Sequence, residues 1–234
     1  MAKRLPAKQP QQKNKSSRPA APATSLRIIG GRHRGRQLVY SGDQVTTRPM
    51  KDDVRESLFN LVGGWLEGKW VVDLFAGTGA VGLEAVSRGA AAATLVERHF
   101  PTARLIRENV AALHEEDRVT VETSDALFWS RQFLKTRNSP IAAAWTVFCC
   151  PPWPMFMHQR EEIVGLIDSW YRALPPDSLL IVEADVRFDP RHLPDAESWR
   201  IRDYPPARVC VIRPPGDNNA ENYLRMWEEA AGCD

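Results

Sequence analysis

The chain has 234 residues with 43% hydrophobic content, enough for one sizeable core, and its formal charge of +2 hides an asymmetry. Residues 1–60 hold thirteen Lys and Arg against four acids, a balance of +9 that leaves −7 for the remainder, so a polyanionic partner is expected to approach from one end. Four cysteines without CxxC spacing, five histidines without HxxxH or HxH, no proline-free apolar run of membrane length and no apolar leader segment argue against a disulfide framework, a metal centre, a membrane span and secretion. A reducing cytoplasm is the expected home.

In chain order, residues 1–24 are rich in Lys, Gln, Pro and Ala without apolar periodicity and are expected to form a disordered basic tail. "LRIIGGRHRGRQLVY" places two β-type runs, Leu26–Ile29 and Gln37–Tyr40, on either side of a glycine- and arginine-rich centre, which predicts a hairpin. On an extended strand Arg32, Arg34 and Arg36 would share one face and could contact phosphates; an ordinary solvated strand face is the alternative. "RPMKDDVRESLFNLV" predicts a helix, with Pro49 before it, Asp52 and Asp53 in its first turn and an apolar stripe of Val54, Leu58, Leu61 and Val62.

From Trp70 onward strands and helices alternate. "WVVDLF", "AATLVE", "RVTVETS", "IAAAWTVF" and "SLLIVEA" read as strands, and "AVGLEAVSRG", "PTARLIRENVAALH", "DALFWSRQFLK" and "REEIVGLIDSWYRAL" as the helices between them. Repeated β-α units imply a doubly wound, mostly parallel α/β sheet covered on both faces. "SWRIRDY" and "ARVCVIR", joined by Pro205-Pro206, predict an antiparallel hairpin closing one edge, and residues 216–234 are expected to be a tail that can add a marginal helix.

"DLFAGTGAVGLEA" contains Gly77-Thr78-Gly79-Ala80-Val81-Gly82, a GxGxxG between a strand and a helix, the context that such a nucleotide loop requires. Glu97 ends the next strand, 18 residues after Gly79, where a carboxylate can accept from both hydroxyls of a ribose. Asp73, just before the loop, would repel a pyrophosphate but suits a cofactor with a cationic amino-acid end, which favours S-adenosyl-L-methionine over NAD. Asp125 can accept from an adenine amino group or cap the following helix. Asp73, Phe75, Gly77, Gly79, Glu97 and Asp125 form the candidate cofactor set.

With these motifs in order, the sequence resembles the RsmD family, bacterial guanine-N2 methyltransferases of small-subunit (16S) ribosomal RNA, over roughly residues 26–213. "RIIGGRHRGRQL" is similar to the family's N-terminal hairpin, "TRPMKDDVRESLFNLV" to its arm and helix, and "DLFAGTGAVGLEAVSRGA" to its cofactor loop. "SLLIVEAD" is similar to the late central strand. The resemblance implies a seven-stranded Rossmann-like fold and a cytoplasmic, non-membrane enzyme, expected to be monomeric. It implies S-adenosyl-L-methionine as cofactor, no metal, and small-subunit ribosomal RNA or a 30S assembly particle as partner. It divides the chain into a basic tail at 1–24, an RNA-contacting hairpin and helix at 25–62, a catalytic domain at 63–215 and a tail at 216–234. Arg32, Arg34, Arg36, Arg48 and Arg55 are then the RNA-contacting candidates, and Cys150, Pro151, Pro152 and Trp153 the target-base pocket.

Three positions depart from that family pattern. Asp53 replaces a basic residue, Pro205 replaces a glycine, and Cys150 stands where the family has Asp in Asp-Pro-Pro-aromatic. The last touches the chemistry, because a neutral thiol is a weak acceptor for the amino protons of a base. Three readings follow: an enzyme that tolerates Cys150 by relying on backbone carbonyls, a SAM- and RNA-binding assembly protein with little catalysis, or a cysteine nucleophile attacking a pyrimidine. Cys149, on the opposite face of the same strand, is expected to be inert core.

Overall fold

The computed structural model describes residues 26–41, 50–141 and 143–214. The tail at 1–24, Arg48 and the C-terminal segment at 216–234 lie outside the described residues.

A seven-stranded sheet runs in the order β3-β2-β1-β4-β5-β7-β6. Its strands are β1 (Trp70–Asp73), β2 (Ala92–Val96), β3 (Val119–Glu122), β4 (Trp145–Cys149), β5 (Leu179–Asp185), β6 (Arg200–Tyr204) and β7 (Ala207–Ile212). β1 to β5 pair in parallel, while β7 runs antiparallel to both β5 and β6. The expected terminal hairpin therefore forms, with its second strand inserted against β5. The helices are α1 (Asp52–Val62), α2 (Ala80–Ser87), α3 (Phe100–Leu113), α4 (Ala126–Thr136), a short α5 (Met155–His158) and α6 (Arg160–Ala173). The predicted helices all appear, and α5, a single turn after the Pro-Pro-Trp sequence, is the one that periodicity could not reveal.

Alternation along the strands divides the core in two. Val71, Leu95, Phe148, Ile181 and Val209 face one layer with α1, α2 and α3. Trp70, Val72, Val147, Cys149, Leu180 and Cys210 face the other, with α4 and α6. Cys149 is fully buried in this second layer, while Cys150 packs against the first, as expected for successive residues of a strand. The second layer holds an aromatic cluster in which Phe133 stacks on Trp170 at 5.4 Å and Trp70 meets Trp145 edge-on at 5.4 Å. Two of its indoles remain hydrogen-bonded, Trp70 Nε1 to Thr94 Oγ1 and Trp170 Nε1 to Ser130 Oγ, so their burial leaves no donor stranded.

The segment at 26–41 is stitched onto α2 and α3. Leu26, Ile28 and Leu38 join the first core layer. The carboxylate of Glu84, fully buried on α2, accepts from the Ile29 and Gly30 N–H groups at 2.6 Å and from Arg88 Nε at 2.8 Å. Glu115, buried after α3, gathers Arg32, His33 and Arg118. The two predicted β runs do pair antiparallel, but only through one bridge, Arg27 to Gln37. Residues 32–35 turn rather than extend, because Gly31 and Gly35 adopt φ of 74° and 83°. At Gly31 a Cβ would sit 1.9 Å from the Ser87 carbonyl oxygen, so only glycine fits. The expected single face of Arg32, Arg34 and Arg36 is thereby corrected: they decorate a tight turn.

Candidate active site

The C-terminal ends of β1, β2, β4 and β5 frame a cleft of about 370 Å³. It lies where the strand order reverses: the chain runs from β1 out to β2 and β3 on one side, then crosses from β3 to β4 on the other side of β1. That switch point is where open α/β sheets bind ligands, and the volume falls among small-molecule sites of about 300–1,000 Å³.

The glycine loop forms the floor. Gly77 and Gly79 take φ of 53° and 78°, conformations that side chains resist, and turn the chain from β1 into α2. The third glycine serves packing: a Cβ on Gly82 would lie 2.7 Å from Leu95 Cγ, so its absence lets α2 press onto β2. Gly79 caps α2 without a side-chain acceptor, leaving first-turn N–H groups beside the cleft that Thr78, Ala80 and Val81 line. Glu97 holds the loop, with Oε2 accepting from Gly77 N–H at 2.9 Å and Oε1 from His99 N–H at 2.7 Å. Each carboxylate oxygen has two lone pairs, so Glu97 can still accept from hydroxyls.

Asp73 is 2% exposed, and its Oδ2 has no hydrogen-bond partner among the described residues. Burial pushes its pKa up to about 7, against the pull of the Gly82 and Phe75 N–H groups. A buried acceptor of this kind, lining the cleft, fits a cationic amino group. Phe75 also lines the cleft. Asp125 lines it too, but as an N-cap: its Oδ1 accepts from Leu127 and Phe128 N–H at 3.0 and 3.1 Å, which leaves Oδ2 for a ligand. Five of the six residues expected to hold a cofactor thus line one cleft, and their donors and acceptors suit an adenosyl amino acid; the sixth, Gly79, packs against Ile106 and Leu95 and shapes the turn from behind.

The opposite wall is the segment after β4. Cys150, Pro151, Pro152 and Trp153 all line the cleft, and Met155 N–H closes the turn on the Pro152 carbonyl at 2.8 Å. Trp153 is half-buried, and its Nε1 donates to Glu183 Oε1 at 3.0 Å. Burial, then the negative charges of Glu183 and Asp73, push the Cys150 thiol well above its ordinary range. A protonated thiol is neither a nucleophile nor a strong acceptor.

Sequence reading missed Glu183, on β5 and lining the same cleft, with a pKa pushed up to about 7 by burial. It also missed the cations at the rim, Lys51 and Arg98, both exposed cleft residues. Arg55, expected to contact RNA, is fully buried: Nη2 donates to the Arg27 carbonyl at 2.6 Å and to Asp52 Oδ1 at 2.9 Å. Its guanidinium serves the interior, so the RNA role assigned to it is corrected. Arg32 pairs with Glu115, and Arg36 Nη2 donates to the Ala112 carbonyl; Arg34 is exposed and forms no ion pair among the described residues. This turn touches Ser87, the last residue of α2, so it stands a helix length, about 12 Å, from the glycine loop.

Comparison with known proteins places this arrangement in a family. The family model described as "Conserved hypothetical protein 95" matches residues 26–212. The "Ribosomal RNA small subunit methyltransferase D" of Escherichia coli strain K12 is 36% identical over 163 residues, covering 69% of this chain and 75% of that protein. The "Putative rRNA methyltransferase YlbH" of Bacillus subtilis is 29% identical over 192 residues, covering 82% of this chain and all of that protein. Among solved structures, a putative methyltransferase from Escherichia coli, yhhF, superposes with a TM-score of 0.63 at 31% identity, covering 81% of this chain and 98% of that one. The chain therefore belongs to the family described as conserved hypothetical protein 95, the RsmD family that its motifs resemble.

Proposed function

We propose that this protein is an S-adenosyl-L-methionine-dependent methyltransferase that modifies the exocyclic N2 of a guanine in small-subunit (16S) ribosomal RNA, acting in the cytoplasm as a monomer. The observation that carries the reading is the convergence, in one cleft, of Asp73, Phe75, Gly77, Glu97 and Asp125 with the Cys150-Pro151-Pro152-Trp153 turn. Curated relatives named as small-subunit ribosomal RNA methyltransferases support it.

The cofactor supplies an electrophilic methyl group on a sulfonium. Asp73 would accept from the amino end, the first turn of α2 would receive the carboxylate, and Glu97 would accept from the ribose hydroxyls. Trp153 offers a face on which a base stacks, worth about 1–3 kcal/mol. The cleft would hold the base nitrogen close to and in line with the methyl group, an arrangement from which much of the rate would derive. RNA meets Lys51 and Arg98 at the rim. An extended RNA also reaches the Arg32–Arg36 turn, about 12 Å farther along the body.

A second reading, a SAM- and RNA-binding assembly protein of low activity, is favoured by one observation, the thiol at position 150. The protonated state of that thiol argues against the cysteine-nucleophile reading. Methyl transfer from labelled SAM to undermethylated small subunits separates the remaining two. Incorporation supports the enzyme; tight SAM and RNA binding without incorporation supports the assembly protein.

A further inference from the structure

We propose that Glu183, reaching the cleft from β5 beside Cys150, is the carboxylate that accepts a proton from the target amino group, in place of the acid missing at position 150. This rests on the methyltransferase reading above. The parallel register pairs Cys149 with Val182, so Cys150, just past β4, and Glu183, within β5, lie side by side. Both line the cleft, and the Glu183 charge bears directly on the Cys150 thiol. The Trp153 indole donates to Oε1, so a base stacked on that ring lies beside the same carboxylate. Oε2 takes no hydrogen bond among the described residues. Glu183 is only 8% exposed, and desolvating an acid for one indole hydrogen bond is a poor stabilising device, whereas a buried acceptor in a reaction cleft has a use.

The chemistry balances. The N2 lone pair forms the new C–N bond as the C–S bond breaks, and that bond's electron pair stays on sulfur, converting a sulfonium to a neutral thioether. The nitrogen then carries one hydrogen too many and releases it to Glu183, from which it passes to solvent as product leaves. Burial holds the Glu183 carboxyl near 7, suited to accepting a proton at neutral pH. The charged and titratable groups around it are Asp73 from β1, Cys150 after β4, Asp185 on its own strand, and Lys51, Glu97, Arg98 and Asp125 around the cleft. On β7, Arg208 is held by Asp203 and the Phe188 carbonyl.

The test compares wild type, Glu183→Gln, Cys150→Asp, and Glu183→Gln combined with Cys150→Asp, using labelled SAM and undermethylated small subunits, with nucleoside mass spectrometry of the product. Glutamine keeps an oxygen for the Trp153 N–H, so the indole stays in place while the proton acceptor is lost. The expected result is a fall in kcat of about 100-fold or more with a nearly unchanged KM for SAM, and loss of the rise in rate through pH 7. Adding Cys150→Asp returns a carboxylate from the neighbouring strand and recovers at least roughly tenfold, while Cys150→Asp with Glu183 intact gains less than that; an equal gain in both backgrounds overturns the shared role. Independently of turnover, carbon-13 NMR of glutamate-labelled protein shows one carboxyl titrating near neutrality that is absent from Glu183→Gln. Wild-type kcat and pH profile in Glu183→Gln, or failure of Cys150→Asp to recover activity, overturns this inference alone. Absence of methyl transfer by wild type overturns the functional reading and this inference with it. A methyl group found on another atom overturns the guanine-N2 assignment while the Glu183 comparison still stands.

Discussion

Asp73 makes cofactor affinity depend on pH in a way that can be calculated. Its carboxyl is fully buried, titrates near 7 instead of 3.8, and presents an unpartnered Oδ2. A cationic amino group binds the ionised form. With a pKa of about 7 that form falls from about three-quarters of the molecules at pH 7.5 to about 3% at pH 5.5, so affinity drops about 25-fold. On the alkaline side the ligand's own α-amino group, with a pKa of roughly 7.7–8.0, loses its charge, so affinity peaks between about pH 7 and 8. Asp73→Asn removes one charge-assisted hydrogen bond, about 1.5–3 kcal/mol or roughly 10–150-fold in Kd, and flattens the acid limb. Titration calorimetry with S-adenosyl-L-methionine or its thioether product from pH 5.5 to 8.5 reads both effects. A slope that survives in Asp73→Asn belongs to Glu183, the other cleft carboxyl near 7. Affinity constant within about twofold from pH 5.5 to 7.5, or wild-type affinity in Asp73→Asn, would refute the assignment of Asp73.

The same two carboxyls shape stability. Their folded pKa values of about 7 lie above the ordinary 3.8 and 4.5, so the folded protein holds extra protons between about pH 4 and 7 and loses stability as pH rises through that window. Without ligand, thermal unfolding is expected at a temperature several degrees lower at pH 8 than at pH 6, read by calorimetry, with S-adenosyl-L-methionine offsetting the loss at pH 8. The carboxyls lowered by arginine partners, Asp185 and Asp189 at about 2, act only below about pH 4 and leave this window alone. Gly82→Ala drives a methyl against Leu95 and should cost about 1–3 kcal/mol of stability by denaturant unfolding, while weakening cofactor binding through displacement of α2. Arg55→Ala removes a buried side chain and its hydrogen bond to the Arg27 carbonyl, while the half-exposed Asp52 keeps Arg27 nearby, and should destabilise by about 1–3 kcal/mol in the same assay. Arg34→Ala should leave stability within about 0.5 kcal/mol and instead reduce the salt sensitivity of RNA binding.

Much of this fold is legible in the sequence because its elements are written in local terms. Continuous apolar runs such as "WVVDLF" mark strands buried on both faces, and the glycine loop sits between strand and helix as its chemistry demands. What failed was arithmetic without tertiary context. Arg32, Arg34 and Arg36 alternate like a strand face, yet Gly31 and Gly35 beside them carry the positive φ angles that make a turn, a signal present in "GGRHRG". Arg55 precedes Leu58 and Phe59 by three and four residues, which puts it on the buried face of α1; its positive charge obscured that position. Glu183 could not be read at all. An acid near the end of "SLLIVEA" looks like a strand leaving the core, and only the pairing of β4 with β5 sets it beside Cys150. Glu84 is similar: an acid in a glycine-alanine helix gives no sign that it anchors backbone some 55 positions earlier.

The central claim is that this cleft transfers a methyl group to guanine N2 of small-subunit ribosomal RNA. The most direct measurement incubates the protein with labelled S-adenosyl-L-methionine and small ribosomal subunits from cells lacking it, then identifies the modified nucleoside by mass spectrometry. N2-methylguanosine is expected at a single position, formed by wild type and lost in Asp73→Asn at subsaturating cofactor. No incorporation under conditions where both SAM and RNA bind, or a methyl group on a different atom, would contradict it.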